Sequence, residues 1–470
     1  MSSAQHSRRW KIRPGGPLRG NVRIPGDKSI GHRALLFGAL AEGSSVVTGL
    51  SGGLDNASTA DAMRAMGAQI TIEGEAGSRE GQRARIEGVG LRGLVAPKGV
   101  IDCGNSGTTM RMIAGVLVAQ NFGTRLVGDA SLTGRPMRRI VDPLRARGAH
   151  IAGVRGKKEG EHYPPLSVAP LMPDERLTGL EYHSPIASAQ VKSALLLSGL
   201  WADGPTAIAE PVLSRDHTER MLSALGVPIE AMGPMVVLDP EGWEPRWDGF
   251  EWQVPGDISG AAFPIAAALL VPGSEVVLED VGVNPTRTGI LDALRSMRAR
   301  IDLTPRGDAA GNEPIAQIAI RHGALGPGRL GGELLTRMID EVPVFAAVCA
   351  RASGRTDIRD AAELRVKESD RVATTVGLLR AFGVDCTEVD DGLTVQGDPR
   401  SKLRAARVQS GGDHRIAMSA AVLALAAEGE SVIEDVGCVD TSFPGFAAML
   451  RELGADVVVE EAMGEPAVSA

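Results

Sequence analysis

A two-part signature recurs six times along these 470 residues, and it constrains the fold more than any other feature. The first part is a small-residue helix that ends near Gly and gives way to a short β-rich run. It reads Gly43-Ser-Ser-Val-Val-Thr, Gly123-Thr-Arg-Leu-Val-Gly, Gly204-Pro-Thr-Ala-Ile-Ala, Gly273-Ser-Glu-Val-Val-Leu, Gly354-Arg-Thr-Asp-Ile-Arg and Gly429-Glu-Ser-Val-Ile-Glu. The second part is a helix end leading into a strand: Met66-Gly-Ala-Gln-Ile, Arg147-Gly-Ala-His-Ile, Leu225-Gly-Val-Pro-Ile, Met297-Arg-Ala-Arg-Ile, Phe382-Gly-Val-Asp-Cys and Leu453-Gly-Ala-Asp-Val. Gly suits both places because it enters the left-handed region without a Cβ clash. Arg298 breaks the pattern once. Six copies of helix–strand–helix–strand, about 70–80 residues each, predict an α/β protein built by repetition, with units longer than those of solenoids.

A larger echo marks the ends of two halves. Val22-Arg-Ile-Pro-Gly-Asp-Lys-Ser resembles Trp252-Gln-Val-Pro-Gly-Asp-Ile-Ser. Each reads as a strand end, a Pro-Gly turn and an Asp that caps a helix. Two similar domains of three repeats follow. Residues 1–25 and 255–470 form a first, discontinuous domain, and residues 26–254 form the second. Segments 151–180 and 302–330 read as surface loops or hairpins, and the tail after Val459 as frayed.

Composition excludes several classes. Aromatics are 3% and the net charge is −8, which argues against general nucleic-acid binding. Four cysteines (Cys103, Cys349, Cys386, Cys438) stand far apart with no CxxC or Cys/His pairing, which argues for a reducing compartment and against structural zinc. The stretch Met1 to Arg13 is polar and basic, unlike a secretory signal, and no apolar run of about 18 residues suggests a membrane span. A cytoplasmic protein is expected.

Within this acidic chain, basic and small polar residues gather at predicted helix starts. Gly26-Asp-Lys-Ser-Ile-Gly-His-Arg opens an apolar helix, placing Lys28, Ser29 and Arg33 near amide donors suited to an anion. Asp102-Cys-Gly-Asn-Ser-Gly-Thr-Thr-Met-Arg is a Gly-rich turn before another apolar helix, with Asn105 and Gly107 at the turn. Its Cys103 reads as buried and inert. Arg135 precedes Pro136, and Ser188-Ala-Gln-Val-Lys offers the neutral hydrogen-bonders Ser188 and Gln190. Arg215, the acids Asp340 and Glu341, and Arg415 complete the pattern, with His414 as an orienting neighbour of Arg415. Ala361-Ala-Glu-Leu-Arg-Val-Lys-Glu-Ser-Asp-Arg is densest in charge. If Lys367 opens a helix, Lys367 and Arg371 stand on one face, a repulsive pair that an anionic ligand would reverse. Singly, each motif also reads as a solvated helix start. Jointly they describe a site for a substrate with several negative charges, with Asp340 and Glu368 as proton movers.

The motifs PGDKSIGHR, GNSGTTMR, RPM, SAQVKSALLLSGL, RDHTERM, MIDEVP, ELRVKESDR and DHRIAM resemble those of the EPSP synthase family, the 3-phosphoshikimate 1-carboxyvinyltransferases. The likeness runs from about Lys11 to Val457, and SAQVK and RDHTE resemble the family's class II branch. It implies two domains, each of three βαβαββ units around buried helices (an inside-out α/β barrel), with the active site in the cleft between them. It further implies transfer of the enolpyruvyl group of phosphoenolpyruvate to the 5-hydroxyl of shikimate 3-phosphate, with release of phosphate, by addition and elimination. No cofactor or metal is expected, a monomer is expected, and glyphosate is the expected inhibitor.

By motif match, Ser29, Arg33, Ser188, Ala189, Gln190 and Arg215 look like shikimate-phosphate contacts. Asn105, Gly107, Arg135, Arg371 and Arg415 look like the phosphoenolpyruvate side, and Lys28 touches both. Asp340 resembles the acceptor of the hydroxyl proton, Lys367 a bridging cation, and Glu368 the acid that protonates the methylene carbon. Two positions depart from many relatives: Thr441 stands where Lys is common, and Gly107 stands where some glyphosate-insensitive relatives carry Ala. Two rivals share the fold. A UDP-N-acetylglucosamine enolpyruvyl transferase needs a reactive loop Cys, which these cysteines do not supply. A non-catalytic phospho-ligand sensor needs a lost acid or cation, yet Lys28, Asp340 and Glu368 are all present.

Overall fold

The computed structural model describes residues 7–156 and 158–462. Within them the chain forms two compact units. A central unit comprises Gly26–Pro255 with Gly307–Pro314, and a discontinuous unit comprises the remainder. The short stretch 307–314 thus differs from the expected division. It packs on the central unit because Gly311 lies against Met221, and because Arg220 donates to the Asn312 carbonyl (3.2 Å). The expected tail after Val459 is also firmer than predicted up to residue 462. Strand Asp456–Ala462 pairs along its length with strand Ser7–Arg13, while residues 463–470 lie outside the described residues.

Each unit holds three four-stranded sheets of one design. In the central unit, strand Leu180–His183 runs parallel to Thr206–Ala209, which pairs antiparallel with Met235–Leu238, itself antiparallel to Ile229–Met232. The other five sheets repeat this order of neighbours. Five repeats therefore read βαβαββ in chain order and the sixth takes its last strand from Ser7–Arg13, a fold class legible from the repeated turns. The segments expected to be hairpins are hairpins: Ile151–Arg155 with His162–Val168, and Arg300–Ala309 with Glu313–Arg321.

Two kinds of helix alternate. Lys28–Leu40, Gly107–Leu117 and Ala189–Gly199 in the central unit are buried nearly all round, as a helix apolar on every face must be. Ile258–Leu270, Val342–Cys349 and His414–Leu425 do the same in the discontinuous unit. Small residues permit this crowding. A Cβ on Gly115 would lie 2.4 Å from the Ala194 carbonyl oxygen of the neighbouring helix. The second helix of each repeat, such as Leu54–Ala65 or Arg371–Ala381, keeps one side in water.

The paired Pro-Gly-Asp segments mark an exchange of strands. Strand Arg19–Arg23 leads toward helix Lys28–Leu40 of the central unit but pairs with Glu275–Gly282 of the discontinuous one. Strand Glu251–Gln253 leads toward helix Ile258–Leu270 but pairs with Glu42–Leu50 in the central unit. The closures are reciprocal: within the central unit Asp27 N–H donates to the Pro255 carbonyl (2.7 Å), and within the discontinuous unit Asp257 N–H donates to the Pro25 carbonyl (3.0 Å). Both aspartates cap their helices as the sequence predicts, Asp27 accepting from Ile30 N–H and Asp257 from Ser259 N–H.

Candidate active-site clusters

In the central unit, the start of helix Lys28–Leu40 gathers the first candidates. Lys28 Nζ lies 2.8 Å from Asp55 Oδ2, and Asn56 Nδ2 donates to the Lys28 carbonyl (3.0 Å). Arg33 is buried and donates to three neutral acceptors: Thr218 Oγ1 (2.7 Å), the Ser29 carbonyl (2.8 Å) and Ser193 Oγ (2.7 Å). Burial pushes its guanidinium down to about 10, against the opposing charges of Glu219, Asp27 and Glu313. Beside it His32 shares a hydrogen bond with Thr59 (2.7 Å) and is pushed down to about 3 by burial, so it sits neutral in the core.

The other two buried helices of this unit bring a second group together. Ser188 caps helix Ala189–Gly199 by accepting from Val191 N–H, and its own N–H donates to Glu210 Oε1 (2.8 Å). Ala189 is the first residue of that helix. Gln190 accepts from Arg111 Nη1 (2.7 Å) and donates to Thr108 Oγ1 (3.0 Å), joining the starts of the two helices. Asn105 donates to Asp129 Oδ2 (2.7 Å) and accepts from Arg135 Nη2 (2.8 Å). A Cβ on Gly107 would meet Arg111 Nη1 at 2.6 Å and Arg135 Nη1 at 3.3 Å. Asn105, Gly107, Arg135 and Gln190 therefore form one connected patch.

In the discontinuous unit the arrangement is ionic. Arg371 is 1% exposed and surrounded by acids. It forks onto Asp413 (2.9 and 3.2 Å) and reaches Asp340 Oδ1 (3.3 Å) and Glu368 Oε2 (2.7 Å). Lys367 Nζ also reaches Asp340 Oδ1 (3.5 Å), Arg415 lies 4.0 Å from Asp340 Oδ2, and Arg415 Nη1 is 3.6 Å from Glu341 Oε1. Burial alone would lower the Arg371 guanidinium, but the charges of Glu368 and Asp413 reverse this and raise it. Burial likewise pushes the Asp413 carboxyl up, and Arg371 more than offsets it, leaving the carboxyl below its usual range.

One expectation fails here. Lys367 does not open a helix. Residues Ala362–Val366 form a 3-10 turn, Lys367 is extended (ψ −152°), and the α-helix begins at Arg371. Asp370 causes the delay, because its side chain accepts from Val372 N–H (3.1 Å) and Ala373 N–H (3.0 Å), a cap that fixes the helix start. The two cations thus share no helix face, yet both converge on Asp340.

Sequence reasoning passed over Arg111, Asp413 and Lys192, each inside a motif already singled out, and Asp55, for which the sequence carries no signal. Asp413 caps helix His414–Leu425 through Arg415 N–H (3.0 Å), so its role as cap conceals its role as partner of Arg371. Cys103 is buried with its thiol pushed up to about 12 by burial, as an inert residue should be. Among the described residues Asp216, His217 and Glu313 bring metal-capable atoms within 4.8 Å. His217 Nδ1 is already bonded to Glu313 (2.6 Å) and Asp216 to Arg220 (2.8 Å), so these groups already have protein partners.

The profile of the EPSP synthase (3-phosphoshikimate 1-carboxyvinyltransferase) family matches residues 12–465. A 3-phosphoshikimate 1-carboxyvinyltransferase of Desulforudis audaxviator is 49% identical over 443 residues, covering 94% of this chain and 99% of that protein. One of Geobacter sulfurreducens is 48% identical over 442 residues, covering 94% and 98%. A solved EPSP synthase of Acinetobacter baumannii superimposes with a TM-score of 0.83 at 41% identity, covering 97% of this chain and all of that one.

Proposed function

The chain belongs to the EPSP synthase family, and on that premise we propose that it transfers the enolpyruvyl group of phosphoenolpyruvate to the 5-hydroxyl of shikimate 3-phosphate. The single observation that carries the reading is the pair of carboxylates, Asp340 and Glu368, held on one buried guanidinium, that of Arg371. Shikimate 3-phosphate takes Ser29, Arg33, Ser188, Ala189, Gln190 and Arg215. Phosphoenolpyruvate takes Asn105, Gly107, Arg135, Arg371 and Arg415, while Lys28 and Lys367 serve as bridging cations.

In the addition step the 5-hydroxyl oxygen attacks C2 of phosphoenolpyruvate, its proton passing to Asp340, while Glu368 delivers a proton to the methylene carbon. A tetrahedral intermediate results. Elimination returns a proton from the new methyl group to Glu368, while the proton held by Asp340 passes to the departing phosphate oxygen, so that phosphate leaves and both carboxyls are reset. Glu368 as a carboxylate on Arg371 is a poor acid. An anion that takes over that guanidinium raises the carboxyl toward its protonated form, so substrate binding loads the acid. Lys28, Asp340 and Glu368 are the catalytic residues in this reading.

The cysteines disfavour the UDP-N-acetylglucosamine alternative. Cys103, Cys349 and Cys386 are buried, and burial pushes Cys103, Cys349 and Cys438 up to about 12, far from a reactive thiolate. Glyphosate is the proposed inhibitor, with Gly107 leaving room where a methyl would crowd it. The protein is proposed to act as a cytoplasmic monomer. Among the described residues no helix is long and apolar enough to cross a membrane.

The deciding assay is phosphate release from phosphoenolpyruvate with shikimate 3-phosphate, run with EDTA and with UDP-N-acetylglucosamine as control acceptor, followed by glyphosate titration. Release with shikimate 3-phosphate alone, unaffected by EDTA, is expected. Ligand binding without release would favour a sensor instead.

A further inference from the structure

Lys192 is a buried charge that the proposed chemistry does not use. It lies on helix Ala189–Gly199 and is 2% exposed. Its ammonium lies 2.9 Å from Glu210 Oε2 and 2.7 Å from Glu219 Oε1, and donates to the Ser214 carbonyl (3.4 Å). Glu210 and Glu219 are 6% and 5% exposed. One cation between two buried carboxylates is costly to assemble and rarely persists without further hydrogen bonds. Here those bonds run outward to substrate-bearing segments. Glu210 Oε1 accepts the Ser188 N–H (2.8 Å), while Oε2 accepts the Ser214 N–H (3.2 Å) and hydroxyl (2.7 Å).

We propose that Lys192 is a positioning residue for the shikimate 3-phosphate side of the site: by tying Glu210 to Glu219 it holds in register the two turns that carry Ser188 and Arg215. The proposal rests on the reading of those residues as phosphate contacts. Ser214 immediately precedes Arg215 and is gripped from both sides, by Glu210 at its N–H and hydroxyl and by Lys192 at its carbonyl. Glu219 follows Thr218, whose hydroxyl accepts from Arg33 (2.7 Å) and is bonded to Ser193 (2.7 Å), the residue after Lys192. One turn of one helix thereby reaches three anion-binding elements. The pair also sets the local charge: Glu219 favours the charged form of the buried Arg33, and the two carboxylates raise the Lys192 ammonium against the opposing effect of burial.

The test compares the wild type with Lys192→Met/Glu219→Gln, a double variant that keeps the trio's net charge, in the phosphate-release assay. The Michaelis constant for shikimate 3-phosphate should rise about tenfold, the effect of losing one charge-assisted hydrogen bond, with kcat and the constant for phosphoenolpyruvate little changed. Should the double variant fail to fold, Ser214→Ala carries the same prediction at about threefold, the loss of one neutral contact. Unchanged affinity for shikimate 3-phosphate in a folded variant, or equal loss toward both substrates, would overturn the proposal alone. A wild type that turns over neither substrate would overturn the underlying reading and the proposal with it.

Discussion

Arg33 and Arg371 are the same residue type, each buried near the start of a helix, one in each unit, yet their surroundings are opposite. Arg33 donates to two hydroxyls and a carbonyl, and burial lowers it to about 10. Arg371 touches Asp340, Glu368 and Asp413, and their charges raise it. A buried cation whose hydrogen-bond acceptors are all neutral, with the carboxylates of Glu219, Asp27 and Glu313 acting on it only through their charge, gains most when an anion arrives, since the ligand supplies a direct counter-charge. A cation already saturated by carboxylates gains less from the anion itself. What changes instead, in the proposed reading, is Glu368, which loses its partner and moves toward protonation, while Asp340 keeps Lys367 and Arg415 beside it. In the proposed reading, one framework of repeated helix starts supplies neutral-held binding groups in one unit and, beside its binding cations, the two proton-moving carboxylates in the other.

The sharpest way to break this comparison is to neutralise the acids. Glu368→Gln should lower kcat by about a thousandfold with small changes in the Michaelis constants, within the range for a positioned general acid. The variant should also lose the limb of the pH–rate profile that the wild type owes to protonation of this carboxyl. Asp340→Asn should behave alike for the hydroxyl proton. If either variant instead lost affinity while keeping kcat, the acids would be scaffolding for Arg371 and the contrast between the units would collapse.

The two arginines also predict different stability losses. Arg371→Leu strands the buried Asp413 with Glu368 and Asp340 beside it, and should cost about 3–5 kcal/mol. Arg33→Leu leaves hydroxyls that can bond each other, as Ser193 and Thr218 already do at 2.7 Å, and should cost about 1–3 kcal/mol. Urea unfolding followed by circular dichroism of both variants measures the difference. Equal costs, or the reverse order, would mean that the neutral setting of Arg33 is not what distinguishes it.

Much of this was legible in the sequence because repetition exposes backbone demands. A glycine after the outer helix in five of the six copies, and the doubled Pro-Gly-Asp, disclosed six repeats and two halves. Their closeness in sequence to a strand exchange was not legible, since pairing partners such as Arg19–Arg23 with Glu275–Gly282 lie far apart in the chain. The candidate site residues were picked out through helix starts, where cations and small polar groups stand out from an acidic background. Lys367 was misplaced because its spacing from Arg371 matched a helix, while Asp370 between them is the stronger local signal, a cap. Lys192 and Asp413 escaped because a buried partner of a functional residue carries no distinctive pattern of its own.

The smallest predicted effect concerns how alike the units are. At the left-handed position ending the outer helix, the central unit has Gly67 (φ 107°), Gly148 (96°) and Gly226 (77°), and the discontinuous unit has Arg298 (67°), Gly383 (83°) and Gly454 (94°). All six copies keep the same hand of turn, so the geometry belongs to the repeat and Arg298 adopts it against its preference. For a residue with a Cβ that conformation costs about 1–2 kcal/mol. Glycine would recover it but would lose about 0.5–1 kcal/mol to the greater freedom of its unfolded chain. Arg298 is exposed, so little packing is forfeited. Arg298→Gly should therefore stabilise the protein by about 0.5–1 kcal/mol in urea unfolding, with turnover unchanged. A destabilised variant would show that the Arg298 side chain earns its place through an interaction that the other five copies lack, and that the two units are less alike in this turn than their backbone suggests.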